Sequence, residues 1–347
     1  MGARQSATPS HDSKPGGKIL SFEGLRGILA LVVCCGHVGL NTVAAKAGLH
    51  LRFELAVDVF FALSGFVLSR AYYFGRRSFG DLLGGRIARL YPLHLLTLCW
   101  CAAVLPKQPE AWALFLQSAG LVHNIGLPPN TFGYNFPSWS ISVEMVASLA
   151  FFFILRRRTG ALAPVLIGAG LALAALDAAG ALEVAANHFG VVNSGLVRGA
   201  SGFCIGAAAF LVVSRVSPAW LPQMGRVAGV MPVMLIPFFL QASWSPLMAA
   251  LFALAILVVL IAAASNDRTV LAQRLPVQLG AMSYSVYLLH IPILLTAMRL
   301  FGENGVRGLV PKLALLGTVL LASLAMHRWF ELPMQRRVLT WIGKMQG

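Results

Sequence analysis

Long apolar stretches alternate with short polar segments along almost the whole chain. Each stretch has about the 20 residues that a helix needs to cross a lipid bilayer. The stretches are 19–40, 54–74, 87–106, 139–155, 161–180, 196–214, 226–242, 247–264, 279–301 and 309–330. The pattern predicts an all-α membrane bundle of about ten transmembrane helices.

Composition supports the same interpretation. Of the 347 residues, 58% are hydrophobic and 11% are charged, and the mean hydropathy is +0.76. A soluble domain of ordinary composition carries about 25% charged residues. The sequence therefore excludes a soluble globular enzyme, a coiled coil and a largely disordered chain.

The net charge of +15 at first suggests a nucleic-acid partner, but the distribution of the charges argues against one. An even number of spans puts both termini on one side of the membrane, and 20 of the 27 Lys and Arg residues fall on that side. Cytoplasmic loops are enriched in Lys and Arg. Both termini are therefore predicted to be cytoplasmic, and no nucleic-acid partner is expected.

The predicted organisation is one membrane domain with two short tails. Residues 1–17 are polar and rich in Ser, Gly and Pro, which is typical of a disordered cytoplasmic tail. The membrane domain is placed at 18–335 and a C-terminal cytoplasmic tail at 336–347. The five cysteines lie inside apolar spans without metal-ligand spacing, so neither a disulfide framework nor a metal site is expected.

Residues 107–138 interrupt the regular pattern between the third and fourth spans. The apolar piece 111–122 is too short to cross a bilayer, and a run of Asn, Pro and Gly follows it. This pattern predicts an interfacial or re-entrant helix with a loop behind it. Such a loop is a candidate wall of an outward-facing site.

Arg26 and His37 are the polar pair of the first span. Eleven helical steps bring them back to the same helix face, with a rise of roughly 16 Å between them. Ionisable groups inside a membrane tend to line cavities or carry function. The pair therefore indicates a shared cavity, with a snorkelling arginine and a structural histidine as the alternative.

Glu144 in the fourth span needs a partner, because an unpaired carboxylate at membrane depth is costly. It lies twelve residues, roughly 18 Å, from the arginine run 156–158, at about the expected depth of His37. His37 is the expected partner. Arg52 and a water-filled pocket are the alternatives.

Asp58 in the second span and His290 in the ninth join His37 and Glu144. These four polar groups are expected to converge in the outer half or the middle of the bundle. Ser64, near Asp58, favours helix packing. Arg86 and Arg89 share a helix face at the predicted mouth of the third span. They are either topology anchors or a site for a polyanion such as a nucleotide phosphate.

Six sequence motifs occur in order along the chain. They are Ser21–Gly27 followed by His37, Asp58–Phe66, Arg86–Pro92, Asn135–Glu144, Ser283–Pro292 and Phe330–Pro333. Over nearly its full length the chain resembles the acyltransferase-3 family of membrane O-acyltransferases.

The resemblance implies transfer of an acyl group, most often acetyl from acetyl-CoA, to a hydroxyl of a saccharide, glycolipid or envelope polymer. Some relatives act instead on small hydroxylated molecules. Acyl-CoA would be a co-substrate, with no permanently bound cofactor, and the location would be the inner (plasma) membrane of a bacterium. Some members carry an added extracytoplasmic hydrolase-like domain. This chain ends at Gly347, so its function is expected in the membrane bundle alone.

The resemblance and the depth analysis together assign candidate roles. Arg26, Arg86 and Arg89 would bind the donor phosphates, and His37 would act as general base or acyl carrier. Glu144 would set the tautomer of His37, as the acid does in a catalytic triad. The expected acceptor or cavity residues are Asp58, Ser64, Trp139, Ser142, Tyr284 and His290.

Two other functional classes stay open at this stage. A transporter of an envelope precursor also carries intramembrane charges, but the sequence has no inverted repeat. A pathway scaffold would tolerate substitution of both His37 and Glu144. Consumption of acetyl-CoA by the purified protein separates an enzyme from both alternatives.

Overall fold

The structure is a computed structural model in which helices make up nearly all the regular structure. It describes residues 17–46, 48–74, 77–105, 111–127, 132–156, 162–179, 187–188, 192–216, 231–241, 243–265 and 269–346. Within these ranges the strands form one short antiparallel ribbon, β1 (Asn187–His188) with β2 (Val192–Asn193). The expected all-α class is confirmed.

The described ranges contain fourteen α-helices, α1 to α14 in chain order. They are α1 Leu20–His37, α2 Leu40–Lys46, α3 Ala56–Tyr72, α4 Phe79–Val104, α5 Ala111–Ala119, α6 Ser138–Leu155, α7 Leu162–Ala179, α8 Ser194–Val213, α9 Ile236–Phe239, α10 Pro246–Ala264, α11 Arg274–Ala281, α12 Ser283–Gly305, α13 Leu309–Met326 and α14 Leu332–Gln346. Short 3-10 turns at Phe53–Leu55, Met231–Leu235 and Val270–Ala272 and a π turn at His327–Glu331 join some of them.

Eight helical segments in the described part of the chain are long and apolar enough to cross a membrane, and α7 supplies a shorter apolar helix. They match nine of the ten expected spans. Of the expected span 226–242, residues 231–241 are described, and they form a 3-10 turn followed by the four-residue α9 rather than one long helix. The total of ten and the sides of the termini stay predictions.

The two ends of the chain differ from each other. The expected N-terminal tail 1–17 lies outside the described residues except for Gly17. At the other end, α13 continues through the π turn into α14, so residues 336–346 of the expected C-terminal tail are helical.

Glycines allow α3 and α8 to pack at close range in the core. A Cβ added at Gly206 would overlap the carbonyl oxygen of Ala62, and one at Gly65 would lie 2.5 Å from the carbonyl oxygen of Phe203. Small residues at such interfaces let helix backbones approach inside a membrane. The close approach also brings Asp58 on α3 next to Arg198 on α8.

We expect Gly206→Ala to force α3 and α8 apart and lower the free energy of unfolding by about 1–3 kcal/mol, the usual cost of overpacking. The measurement is the melting temperature of the purified protein in detergent, followed by size-exclusion chromatography. Gly317→Ala in α13 is the matched control, because no atom lies within 4 Å of its added Cβ. Equal melting temperatures for the two variants would contradict the packing argument.

Candidate active site

Two helices, α1 and α4, bring the predicted donor-binding arginines around one carboxylate on α6. Arg86 on α4 forms an ion pair with Glu144 on α6, and the hydroxyl of Ser64 on α3 donates to the same carboxylate at 2.9 Å. Arg26 on α1 and Arg89 on α4 lie close enough to Glu144 to interact with it electrostatically. The structure thus assembles one basic cluster from residues far apart in sequence.

The position of Arg86 and Arg89 along their helix differs from the expectation. A capping box at Ser78 and Asp81 starts α4 at Phe79, eight residues before the expected span. The two arginines therefore lie seven and ten residues inside the helix, roughly 10 and 15 Å from its first residue. The predicted start of the third helix at residue 87 was wrong, because the polar turns before it are helical, and the depth of the two arginines in the membrane stays a prediction.

The expected pairing of Glu144 with His37 is also wrong. The Glu144 carboxylate accepts hydrogen bonds from Arg86 and Ser64. His37 instead bonds to His290 and to a backbone carbonyl. The reason is the position of Arg86, whose guanidinium lies against the Glu144 carboxylate. A buried guanidinium attracts a carboxylate far more strongly than a neutral imidazole does. Glu144 therefore belongs to the arginine cluster.

The arginines of the cluster differ in how far they are already neutralised. Arg86 is paired with Glu144, and Arg26 is 3.3 Å from Glu23 one turn away on α1. Arg89 is half-buried and makes no hydrogen bond or ion pair within the described ranges. All five N–H donors of Arg89 are thus unused by the described residues, whereas Arg26 and Arg86 each direct one nitrogen at a carboxylate.

His37 lies at the C-terminal end of α1 in an aromatic surround. Its ring packs edge-on against Phe53 and Phe136, with centroids 4.9 and 5.4 Å away, and stacks with His290 at 5.0 Å. Nδ1 of His37 lies 3.2 Å from the carbonyl oxygen of Val33 and 3.1 Å from Nε2 of His290. Nε2 of His37 bonds to none of the described residues and is left available for chemistry.

The segment before α6 forms one side of this surround, as the sequence indicated. Phe136, which contacts His37, stacks on Phe132 with ring centroids 4.3 Å apart. The side-chain amide of Asn135 donates to the carbonyl of Leu288 on α12 at 3.0 Å. This bond ties the segment to the helix that carries His290.

Buried polar groups hold the rest of the same loop. Ser142, expected on the acceptor side, instead donates to the carbonyl of Leu121 at 2.7 Å and steadies a residue with φ +55°. His123 is fully buried, and its Nε2 lies 3.0 Å from the hydroxyl of Ser138. Burial lowers the pKa of His123 to about 4, so it is neutral at pH 7.

Asp58 has a structural partner that the sequence analysis missed. Arg198 on α8 binds the carboxylate of Asp58 through two nitrogens at 3.0 and 2.7 Å, and it also donates to the carbonyl of Glu54. Trp139, another expected acceptor residue, lies under this guanidinium at 5.4 Å. Only the contact between α3 and α8 reveals the pair.

Two further polar residues stabilise helix contacts. The hydroxyl of Tyr284, expected near the acceptor, donates to the carbonyl of Leu90 at 2.6 Å. Glu331 in the π turn accepts from Ser285 at 2.6 Å and lies 3.0 Å from Nδ1 of His327. Glu331 lies in the Phe330–Pro333 motif, but no local sequence pattern indicates its partners.

We expect Asp58→Ala to lower the free energy of unfolding by about 3–5 kcal/mol, because it leaves Arg198 buried without its counter-ion. The melting temperature of the purified protein measures the effect. Glu303→Ala is the matched control, since its ion pair with Arg307 is about 70% exposed on both sides and such pairs contribute little. A stable Asp58→Ala protein would show that the pair is dispensable for folding.

Comparison with known proteins identifies the family. A family model described as an acyltransferase domain, that of acyltransferase-3, matches residues 19–328. The chain belongs to the acyltransferase-3 family. The matched region includes the arginine cluster, His37 and His290.

Two curated relatives match parts of the chain. "Protein 2 in picA locus" of Rhizobium radiobacter is 41% identical over 93 residues, which are 26% of this chain and 47% of that protein. "Acyltransferase MdmB" of Streptomyces mycarofaciens is 33% identical over 150 residues, which are 39% of this chain and 38% of that protein. The match thus spans less than half of each relative. No solved structure matches the chain.

Proposed function

We propose that the protein is a bacterial inner-membrane O-acyltransferase. It moves an acyl group, in the simplest case acetyl, from cytosolic acyl-CoA to a hydroxyl of a saccharide, glycolipid or other envelope molecule. One observation carries the proposal within the family. The basic cluster around Glu144 includes Arg26 of α1, and a histidine with a free Nε2, His37, lies eleven residues further along the same helix.

The cluster has the chemistry to bind the donor. Coenzyme A carries phosphates, and arginine forms strong, often bidentate hydrogen bonds with phosphate oxygens. Arg89 supplies free donors, while the Arg86–Glu144 pair and Arg26 hold the shape and the net positive charge of the cluster. Arg26 and His37 are eleven residues apart on α1, roughly 16 Å, a distance that the flexible arm of coenzyme A spans.

His37 supplies the proton transfer. In direct transfer its Nε2 takes the proton of the acceptor hydroxyl while the hydroxyl oxygen attacks the thioester carbonyl carbon. The carbon–sulfur bond then breaks, and His37 returns the proton to the departing coenzyme A thiolate. In the alternative, Nε2 attacks the thioester carbonyl carbon, the carbon–sulfur bond breaks and coenzyme A leaves as the thiolate. The acceptor hydroxyl oxygen then attacks the same carbon, the carbon–nitrogen bond breaks and frees Nε2, and the hydroxyl proton goes to the thiolate.

The aromatic surround of His37 supports a hydroxylated acceptor. Phe53 and Phe136 pack against the His37 ring and Phe132 packs on Phe136, and the C–H faces of sugar rings pack on aromatic rings. The site accommodates an envelope saccharide or a smaller hydroxylated molecule by the same contacts.

We expect His37→Ala to reduce acyl transfer by about 10²- to 10⁴-fold, the usual contribution of a general base, without impairing membrane insertion. The assay is incorporation of radiolabelled acetyl from acetyl-CoA into membrane vesicles of the expressing strain. His50→Ala, at an exposed histidine, is the control. Wild-type transfer by His37→Ala would remove His37 from the mechanism, and a protein that leaves acetyl-CoA unconsumed would point to a transporter.

We expect Arg89→Ala to weaken acetyl-CoA binding about 10- to 100-fold, because it removes charge-assisted hydrogen bonds each worth roughly 1.5–3 kcal/mol. Isothermal titration of the purified protein with acetyl-CoA measures the dissociation constant. Arg337→Ala, at an exposed arginine of α14, is the matched control. An unchanged dissociation constant for Arg89→Ala would limit Arg89 to a topological role.

A further inference from the structure

His37 and His290 form a stacked pair in which both Nδ1 atoms contact backbone carbonyls. Nδ1 of His290 lies 3.1 Å from the carbonyl oxygen of Val286, one turn earlier on α12. Nδ1 of His37 lies 3.2 Å from the carbonyl oxygen of Val33, one turn earlier on α1. Nε2 of His290 lies 3.1 Å from Nδ1 of His37. His290 is fully buried and His37 is half-buried.

These contacts determine where the protons sit. A carbonyl oxygen only accepts, so Nδ1 of His290 carries a hydrogen and donates it to Val286. In a neutral imidazole the other nitrogen then has a lone pair, so Nε2 of His290 accepts. The atom facing it, Nδ1 of His37, must donate, which agrees with its second contact to the carbonyl of Val33.

The opposite direction fails on two counts. If Nε2 of His290 donated, His290 would hold a proton on both nitrogens and carry a positive charge while fully buried, at high cost. Nδ1 of His37 would then turn a lone pair toward the carbonyl oxygen of Val33 at 3.2 Å. The geometry therefore leaves His37 with its hydrogen on Nδ1 and its lone pair on Nε2.

We propose that His290 is the positioning residue of the catalytic histidine and takes the role that a carboxylate has in a catalytic triad. It fixes the tautomer and the ring orientation of His37, so that Nε2 faces the reacting groups as base or nucleophile. When His37 takes up a proton at Nε2, the Nδ1–H bond to His290 strengthens and spreads the charge. The inference rests on the proposed role of His37.

The functional test compares two substitutions at the same position. His290→Leu fills the space but offers no acceptor, so we expect kcat for acetyl transfer in membrane vesicles to fall by about 10²- to 10⁴-fold, as when a triad loses its orienting group. His290→Gln places an amide oxygen near the position of Nε2 and should keep kcat within about 10-fold of wild type. The KM for acetyl-CoA should stay within about 2-fold in both variants, because the arginine cluster is untouched.

Thr296→Val is the control on the same helix. Its hydroxyl bonds to the carbonyl of Pro292 and accepts from Trp100, so it tests packing of α12 without touching His37. Wild-type kcat in His290→Leu would overturn the proposal. So would equal losses in His290→Leu and His290→Gln, because the acceptor atom would then be irrelevant.

A spectroscopic measurement tests the pair without relying on activity. In solid-state ¹⁵N NMR of histidine-labelled protein in lipid, the His37 signals are those that disappear in His37→Ala. We expect a protonated Nδ1 and an unprotonated Nε2 in the wild type, and a mixture of tautomers in His290→Leu. A protonated Nε2 in the wild type would refute the pair even if His37 proved essential. If the protein proved not to be an acyltransferase, the same spectrum would still be expected. Failure of the proposed function and failure of the histidine pair are therefore distinguishable.

Discussion

The cost of burying charge among apolar helices determines how the polar residues of this protein pair. Arg86 is held by Glu144, and Arg198 by Asp58, each across two helices. Breaking such a pair is far more costly than removing an exposed one. Both carboxylates are thereby committed to guanidinium partners. His37, at the end of α1, therefore pairs with a neutral group, the ring of His290.

Backbone geometry makes these pairings possible. The glycines of α3 and α8 allow the two helices to approach until Arg198 spans the gap to Asp58. The capping box at the start of α4 extends that helix, so Arg86 reaches the level of Glu144. Neither feature carries any chemistry of its own. Each one places a charged group beside its partner.

The proposed reaction centre combines one rigid and one assembled part. On α1 the distance from Arg26 to His37 is fixed by helix geometry, at roughly 16 Å. The surround of His37 is assembled instead from a 3-10 turn, a loop and α12. The donor side is thus constant in length, while the side around His37 depends on how these separate segments pack together.

The sequence by itself determined the helical membrane-type chain, most span positions and the shared face of Arg26 and His37. Hydrophobic runs and helical periodicity are local properties, so they can be read from neighbouring residues. Only the tertiary structure decided the partners of Glu144, Asp58 and His37. Those contacts join helices separated by dozens to hundreds of residues. They depend on small shifts in helix start and interhelical distance, which no local pattern specifies.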